Sequence, residues 1–173
     1  DFSLLTELKI ELDETARERL TRFHALLIEN NERMDLTNVP EEEMTLRHYA
    51  DSLLVLNAVQ LPKNIHLIDV GTGAGFPGLP LAIAREDIKV TLLESKQKRC
   101  AFLQEVIDAL GLKNARVICA RAEDEAFGAN REMYDIAAAR AVASLSTLAE
   151  YLLPYVRLGG RALCWKGPAV MEE

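Results

Sequence analysis

Two carboxylates flank a run of glycines, and that spacing is where this chain most plainly offers chemistry. Asp69 lies near the end of an apolar stretch, Ile65 to Val70, and Gly71, Gly73, Gly75 and Gly78 follow it. Glu94 closes a second apolar stretch that begins at Lys89. Glycines let a backbone turn sharply and approach a ligand with no Cβ in the way. A glycine loop between a strand and a helix lies at the carboxyl edge of an open α/β sheet, where nucleotide-type cofactors bind. The dinucleotide fingerprint is G-x-G-x-x-G, whereas the spacing here is G-x-G-x-G-x-x-G. An acid two residues before the first glycine would repel a pyrophosphate, and it suits a ligand with a cationic amino group or a sulfonium. Glu94 is placed to accept hydrogen bonds from a ribose diol, which a nicotinamide dinucleotide also carries. Arg140 ends a run of small apolar residues, Ile136 to Ala139, and its forked donor matches a carboxylate, a phosphate or a guanine edge. Arg47 and His48 lie one helical turn from Asp51 and can form one polar cluster. Lys96, Lys98 and Arg99 open a helix and Lys166 ends a strand, so both groups can make positioning contacts with nucleic-acid phosphates. Trp165 reads as core.

The elements that must position these groups follow from periodicity. Asp13 can cap a helix from Glu14 to about Arg33, with Ala16, Leu20, Phe23 and Leu27 on one face. After a break at residues 35–40, a second helical stretch starts near Glu41, carries Met44, Leu46, Leu53, Leu54 and Leu56 toward the core, and stops before Pro62. Strands and helices then alternate: Ile65 to Val70; a helix after Pro77; Lys89 to Glu94; a helix from Lys96 to about Leu110 closed by Gly111. Next come Ala115 to Cys119, Tyr134 to Ala139, a helix from Ser144 to about Tyr151, and Arg161 to Lys166. That order predicts an α/β fold with a parallel sheet and helices on both faces. It divides the chain into a helical segment, 1–62, and a sheet domain, 63–173.

Composition narrows the setting. The 173 residues carry a net charge of −7 and an ordinary apolar content. Residues 1–45 hold 12 acids and 5 bases, while residues 46–173 hold 15 of each, so the acid surplus lies wholly in the first segment. A neutral sheet domain can still present a local basic face, although no long nonspecific grip on phosphates is expected. No stretch has the uncharged apolar length of a membrane helix, and no signal peptide is visible. Cys100, Cys119 and Cys164 show neither metal spacing nor pairing logic, so they read as core thiols in a reducing cytoplasm, and no metal is expected.

The glycine loop, with its preceding acid and Glu94, resembles that of S-adenosylmethionine (SAM) methyltransferases. A narrower resemblance covers almost the whole chain in order, to the bacterial 16S rRNA guanine-N7 methyltransferases of the glucose-inhibited division protein B family. The residues that carry it are Asp35-Leu36-Thr37-Asn38, Arg47-His48-Tyr49-Ala50-Asp51-Ser52, the loop from Asp69 to Phe76-Pro77-Gly78, Leu92-Leu93-Glu94-Ser95 with Lys98-Arg99, Arg121-Ala122-Glu123, Arg140-Ala141-Val142-Ala143 and Lys166-Gly167. The resemblance implies a Rossmann-like SAM-dependent methyltransferase sheet behind a helical N-terminal subdomain. It implies SAM as cofactor, held by Asp69, Gly71, Gly73, Gly75, Phe76, Glu94, Ala122, Glu123 and Arg140, with Ala122 and Glu123 at the adenine. Arg140 would also position the reaction, and Arg47, His48, Lys98, Arg99 and Lys166 would face RNA. The partner is 16S rRNA or a small-subunit assembly particle, met by a cytoplasmic monomer away from any membrane. No general base is expected, since guanine N7 carries a free lone pair and no proton. The alternatives are a SAM methyltransferase acting on another RNA or a small molecule, and an NAD(P)-dependent oxidoreductase. Two departures from the family stand out: Asp35 replaces the usual asparagine, and the chain stops at Glu173, before the family's final hairpin. Loss of that hairpin would leave an edge strand unpaired.

Overall fold

The computed structural model describes residues 2–140 and 144–166, so Ala141-Val142-Ala143 and Gly167 of the motifs above lie outside the described residues. The chain opens with α1 (Ser3–Glu7) and the long α2 (Glu14–Met34). The side chain of Asp13 accepts the Ala16 N–H at 2.7 Å to start α2, and Asp35 ends it in the left-handed region at φ 54°. Next comes a helical run: α3 (Glu41–Met44), a π-helical turn over Thr45–Ala50, α4 (Asp51–Leu53) and α5 (Val55–Ala58). Met44 and Leu53 of this run are buried, but Leu46 and Leu54 are exposed at 55% and 39%. The wider π turn shifts the phase that a uniform helical period assigned to them.

Strands β1 (His66–Val70), β2 (Lys89–Glu94), β3 (Ala115–Cys119), β4 (Tyr134–Arg140) and β5 (Val156–Trp165) form one parallel sheet in the order β3-β2-β1-β4-β5. Helices α6 (Gly78–Ala84), α7 (Gln97–Leu110), α8 (Ala122–Glu125) and α9 (Leu145–Leu152) make the crossovers. β5 starts five residues earlier than the sequence suggests, taking Gly159 and Gly160 into its interior, and a register irregularity opposite Tyr134–Ile136 absorbs them. Among the described residues β5 is the outer strand on its side of the sheet.

β1 and β2 are buried almost throughout, as a central strand covered on both faces must be. On one face Leu67, Leu92 and Ala138 share a core with Leu20, Phe23 and Leu27 of α2, Tyr49, Phe76 and Leu103. On the other, Ile68, Leu93 and Ala139 pack with Leu148, Leu152 and Tyr155. The helical segment therefore lies over the face that carries α6 and α7. One expectation about the cysteines fails. Cys100, in the first turn of α7, and Cys119, at the end of β3, are joined as a disulfide with Cα atoms 5.9 Å apart. Nineteen residues separate them in sequence, and they meet because both lie at the carboxyl edge of the sheet.

Candidate functional site

The order of the sheet places β1 between β2 and β4, so the chain leaves β1 at the point where the crossovers reverse direction. A cleft opens there by geometry alone. A cavity of about 400 Å³ occupies it, lined by Val70 and Gly71 after β1, Leu93, Glu94 and Ser95 after β2, Ala120 to Glu123 after β3, Ala139 on β4, and Leu148 and Tyr151 of α9. Its size and mixed lining suit a nucleoside-sized ligand.

The glycine loop is braced from beneath. Asp69 is fully buried, and one of its carboxylate oxygens accepts from Thr72 Oγ1 at 2.6 Å and from the Gly78 N–H at 2.8 Å. The other, Oδ1, is buried with no hydrogen-bond partner. Burial pushes the Asp69 carboxyl up to about 6, against the two hydrogen bonds. Asp69 is not among the residues that line the cavity, and its hydrogen bonds hold the loop's shape. Gly78 is required by this brace: a Cβ there would lie 2.8 Å from Asp69 Oδ2 and against Leu92. Gly75, at φ +101°, would drive a Cβ into Leu79. Gly71 and Gly73 are the open positions, since a Cβ on Gly71 would meet nothing within 4 Å and one on Gly73 nothing nearer than 3.9 Å.

Glu94 lines the cavity with its carboxylate already ordered. It accepts from the Gly73 N–H at 3.0 Å and from the Ser95 and Lys96 N–H groups at 2.9 Å each. A carboxylate has about four acceptor positions, which leaves room for a ribose hydroxyl. Ala122 and Glu123 also line the cavity. The buried Tyr155 hydroxyl pins that segment from behind, donating to the Ala122 carbonyl at 2.5 Å. The open glycines, the partly free Glu94 carboxylate and the cavity volume together fit SAM. Ser95, Arg121, Leu148 and Tyr151 are lining residues that the sequence reading did not single out as ligands. For the two on α9, the only signal available was their three-residue spacing behind the Ser144 cap.

Phe76, Arg140 and His48 meet elsewhere, on the helical-segment side. The Phe76 ring is buried, stacks on His48 with centroids 4.5 Å apart and planes 13° apart, and is not among the residues that line the cavity. Arg140, one residue beyond the cavity-lining Ala139, sets its Cζ 5.2 Å from that ring's centroid. It donates to the Arg47 carbonyl at 2.9 Å and to His48 Nδ1 at 2.8 Å, and it lies 3.5 Å from Asp51 Oδ2. His48 Nε2 lies 2.7 Å from Thr37 Oγ1. His48 is 5% exposed, with both ring nitrogens engaged inside the protein. Burial, and then the Arg140 and Arg47 cations, hold its pKa down at about 4.

The remaining cations stand nearer the rim. Arg47 is exposed and pairs with Glu43 at 2.8 Å. Lys98 is exposed, and Arg99 is half-buried near Gly73 and donates to the Asp35 carbonyl at 3.4 Å. Lys96, Gln97, Lys98 and Arg99 line a shallow basic hollow with Met34 and Asp35. Lys166 lies apart from them, in a groove with Asp51, Val55 and Trp165. Trp165 is half-buried against the core, and its indole N–H donates to the Asp51 carbonyl at 2.9 Å.

Residues 16–173 match the family model described as rRNA small subunit methyltransferase G. Over 166 residues the chain is 48% identical to a ribosomal RNA small subunit methyltransferase G of Clostridium botulinum, covering 95% of this chain and 70% of the relative. The corresponding protein of Clostridium perfringens is 46% identical with the same coverage. Among solved structures, a SAM-dependent methyltransferase from Aquifex aeolicus matches with a TM-score of 0.54 and 23% identity over 71% of each chain. A Corynebacterium glutamicum protein matches with a TM-score of 0.59 and 18% identity over 82% of this chain and 66% of the other. At those identities the structural likenesses speak to the fold, which is Rossmann-like.

Proposed function

The chain belongs to the rRNA small subunit methyltransferase G family, and from that premise we propose that it transfers a methyl group from SAM to N7 of a guanine in 16S rRNA. The observation that carries the reading is the cavity between Gly71, Glu94 and Ala122–Glu123, floored by Ala139 one residue before Arg140. The cofactor supplies, when bound, a sulfonium-borne methyl group open to a nucleophile. Gly71 and Gly73 let the backbone lie close to its amino-acid portion, Glu94 accepts from the ribose, and Ala122 with Glu123 borders the adenine. Asp69 keeps the loop in the required shape. Guanine N7 needs no deprotonation, so the protein's task is in-line placement of the acceptor. That task agrees with a His48 whose nitrogens are both committed and which is not free to act as a base.

Arg140 is the positioning cation beside the methyl donor, with Lys98 and Arg99 meeting RNA phosphates at the rim, and with Arg47 and Lys166 as outer contacts. Substrates of this kind are met in the cytoplasm, by a monomer acting on 16S rRNA or on a small-subunit assembly particle. Family membership leaves the oxidoreductase alternative without support. The test is titration calorimetry with SAM, S-adenosylhomocysteine and NAD, followed by methyl transfer to undermodified 16S rRNA and detection of N7-methylguanosine. Binding of the first two ligands alone, with N7-methylguanosine formed, is the expected result. Binding of NAD alone, or methylation at another atom, would overturn it.

A further inference from the structure

Three segments far apart in the chain are linked by one row of hydrogen bonds: Thr37 in the loop after α2, His48 in the π turn, and Arg140 at the end of β4. The polarity of that row follows from elementary chemistry. A guanidinium only donates, so His48 Nδ1 must accept from Arg140, and the single proton of the neutral ring must sit on Nε2. That proton is donated to Thr37 Oγ1, which also accepts the Val39 N–H at 3.1 Å. The Nδ1–H tautomer would set two donors against each other 2.8 Å apart. The loop that presents Thr37 is itself tightly held. Asn31 Oδ1 accepts the Leu36 and Thr37 N–H groups at 2.8 Å each, and Asn31 Nδ2 donates to the Thr37 carbonyl at 3.1 Å. The far end of the row is equally constrained, because His48 lies flat on Phe76 and Arg140 lies over the same ring. The Arg140 guanidinium thus fixes which nitrogen of His48 accepts, and the Thr37 hydroxyl, by taking the Nε2 proton, holds the ring in the place where Nδ1 meets that guanidinium beside the cavity. The arrangement follows the rule that a histidine's second hydrogen bond selects the role of its first nitrogen.

We propose that Thr37 is a positioning residue for methyl transfer, acting on the Arg140 guanidinium by anchoring the His48 ring that the guanidinium donates to. The proposal rests on the methyl-transfer reading for its kinetic part and on the ring alone for its structural part. Thr37→Val keeps the shape and removes the acceptor, and Thr37→Ser restores it. In Thr37→Val, kcat on undermodified rRNA should fall about tenfold, as misplacement of a positioning group implies, while the dissociation constant for SAM should stay within about twofold. Thr37→Ser should recover most of kcat. A long-range proton–nitrogen NMR spectrum of the wild-type protein should show His48 as the Nε2–H form near neutral pH; only His24 and His66 share that region, and His48→Gln identifies the signal. Unchanged kcat in Thr37→Val, equal losses in the valine and serine variants, or an Nδ1–H ring in the wild type would each overturn the proposal. Where Thr37→Val does not fold, Thr37→Ala is read in its place, with the same expected loss of kcat and the same recovery in Thr37→Ser. A wild type that transfers no methyl group, yet shows the Nε2–H ring, refutes the methyl-transfer reading and with it the kinetic role.

Discussion

Asp69→Asn should remove a loss of stability that the wild type suffers as pH rises toward neutral, by an amount that can be calculated. Asp69 is wholly buried, one of its oxygens has no partner, and its pKa is raised from 3.8 to about 6. A carboxyl whose folded pKa lies above its unfolded value favours folding most when protonated. Its contribution is fully present below pH 3.8 and is lost as pH rises through 6. A shift of roughly two units corresponds to about 3 kcal/mol, of which about 2 kcal/mol is lost between roughly pH 4.5 and 7.5. An asparagine keeps one oxygen for Thr72 Oγ1 and the Gly78 N–H and removes the titration. Its buried amide N–H₂ inherits the place of an oxygen that is itself unpartnered, so a constant offset is expected as well, and the pH dependence is the quantity to read. Urea unfolding of both proteins at several pH values between those limits measures it through the midpoints, given two-state transitions with equal slopes. The variant should gain on the wild type by about 2 kcal/mol across the range. A difference that stays constant with pH would refute the burial argument for Asp69.

His48 runs the other way. Its folded pKa is depressed from 6.5 to about 4, so its contribution is present above pH 6.5 and is lost as pH falls through 4, a change of about 3 kcal/mol. His48→Gln should abolish that loss in the same urea series, and the wild-type profile should be flatter than either variant's because the two groups oppose each other. Gly78→Ala should destabilise the protein by about 1–3 kcal/mol, since the new Cβ meets the Asp69 carboxylate and Leu92 in a packed interior; an unchanged unfolding midpoint would contradict the brace. Lys98→Ala should reduce the slope of log affinity for single-stranded rRNA against log salt by about 0.7 and leave SAM binding intact. An unchanged slope would remove Lys98 from the RNA path.

Most of the sheet was legible because a buried parallel strand is apolar along most of its length. β2 and β3 carry the bounds their residues suggest, and α7 closes at Gly111 in the left-handed conformation that glycine takes freely. The last strand was less legible. The sequence suggests a strand only from Arg161, but the irregular register against β4 holds Gly159 and Gly160 inside β5 as well. Leu46 and Leu54 were misassigned because a π turn has a period that no apolar pattern announces.

What the sequence determined by itself was local: which segments are strands, where a glycine loop follows an acid, and which side chains end each strand at the carboxyl edge. These follow from backbone geometry and from residue types within a few positions of one another. Which of those side chains meet was decided by the tertiary structure. Phe76 faces His48 and Arg140, away from the cavity, because α2 and the π turn cover that face of the sheet. Cys100 meets Cys119 because two crossovers begin at one edge. Thr37 reaches Arg140 through His48, across 103 positions of chain that only the packing of the helical segment brings together. No pattern along the sequence encodes such contacts, because their energy depends on the burial and orientation that three packed elements create jointly.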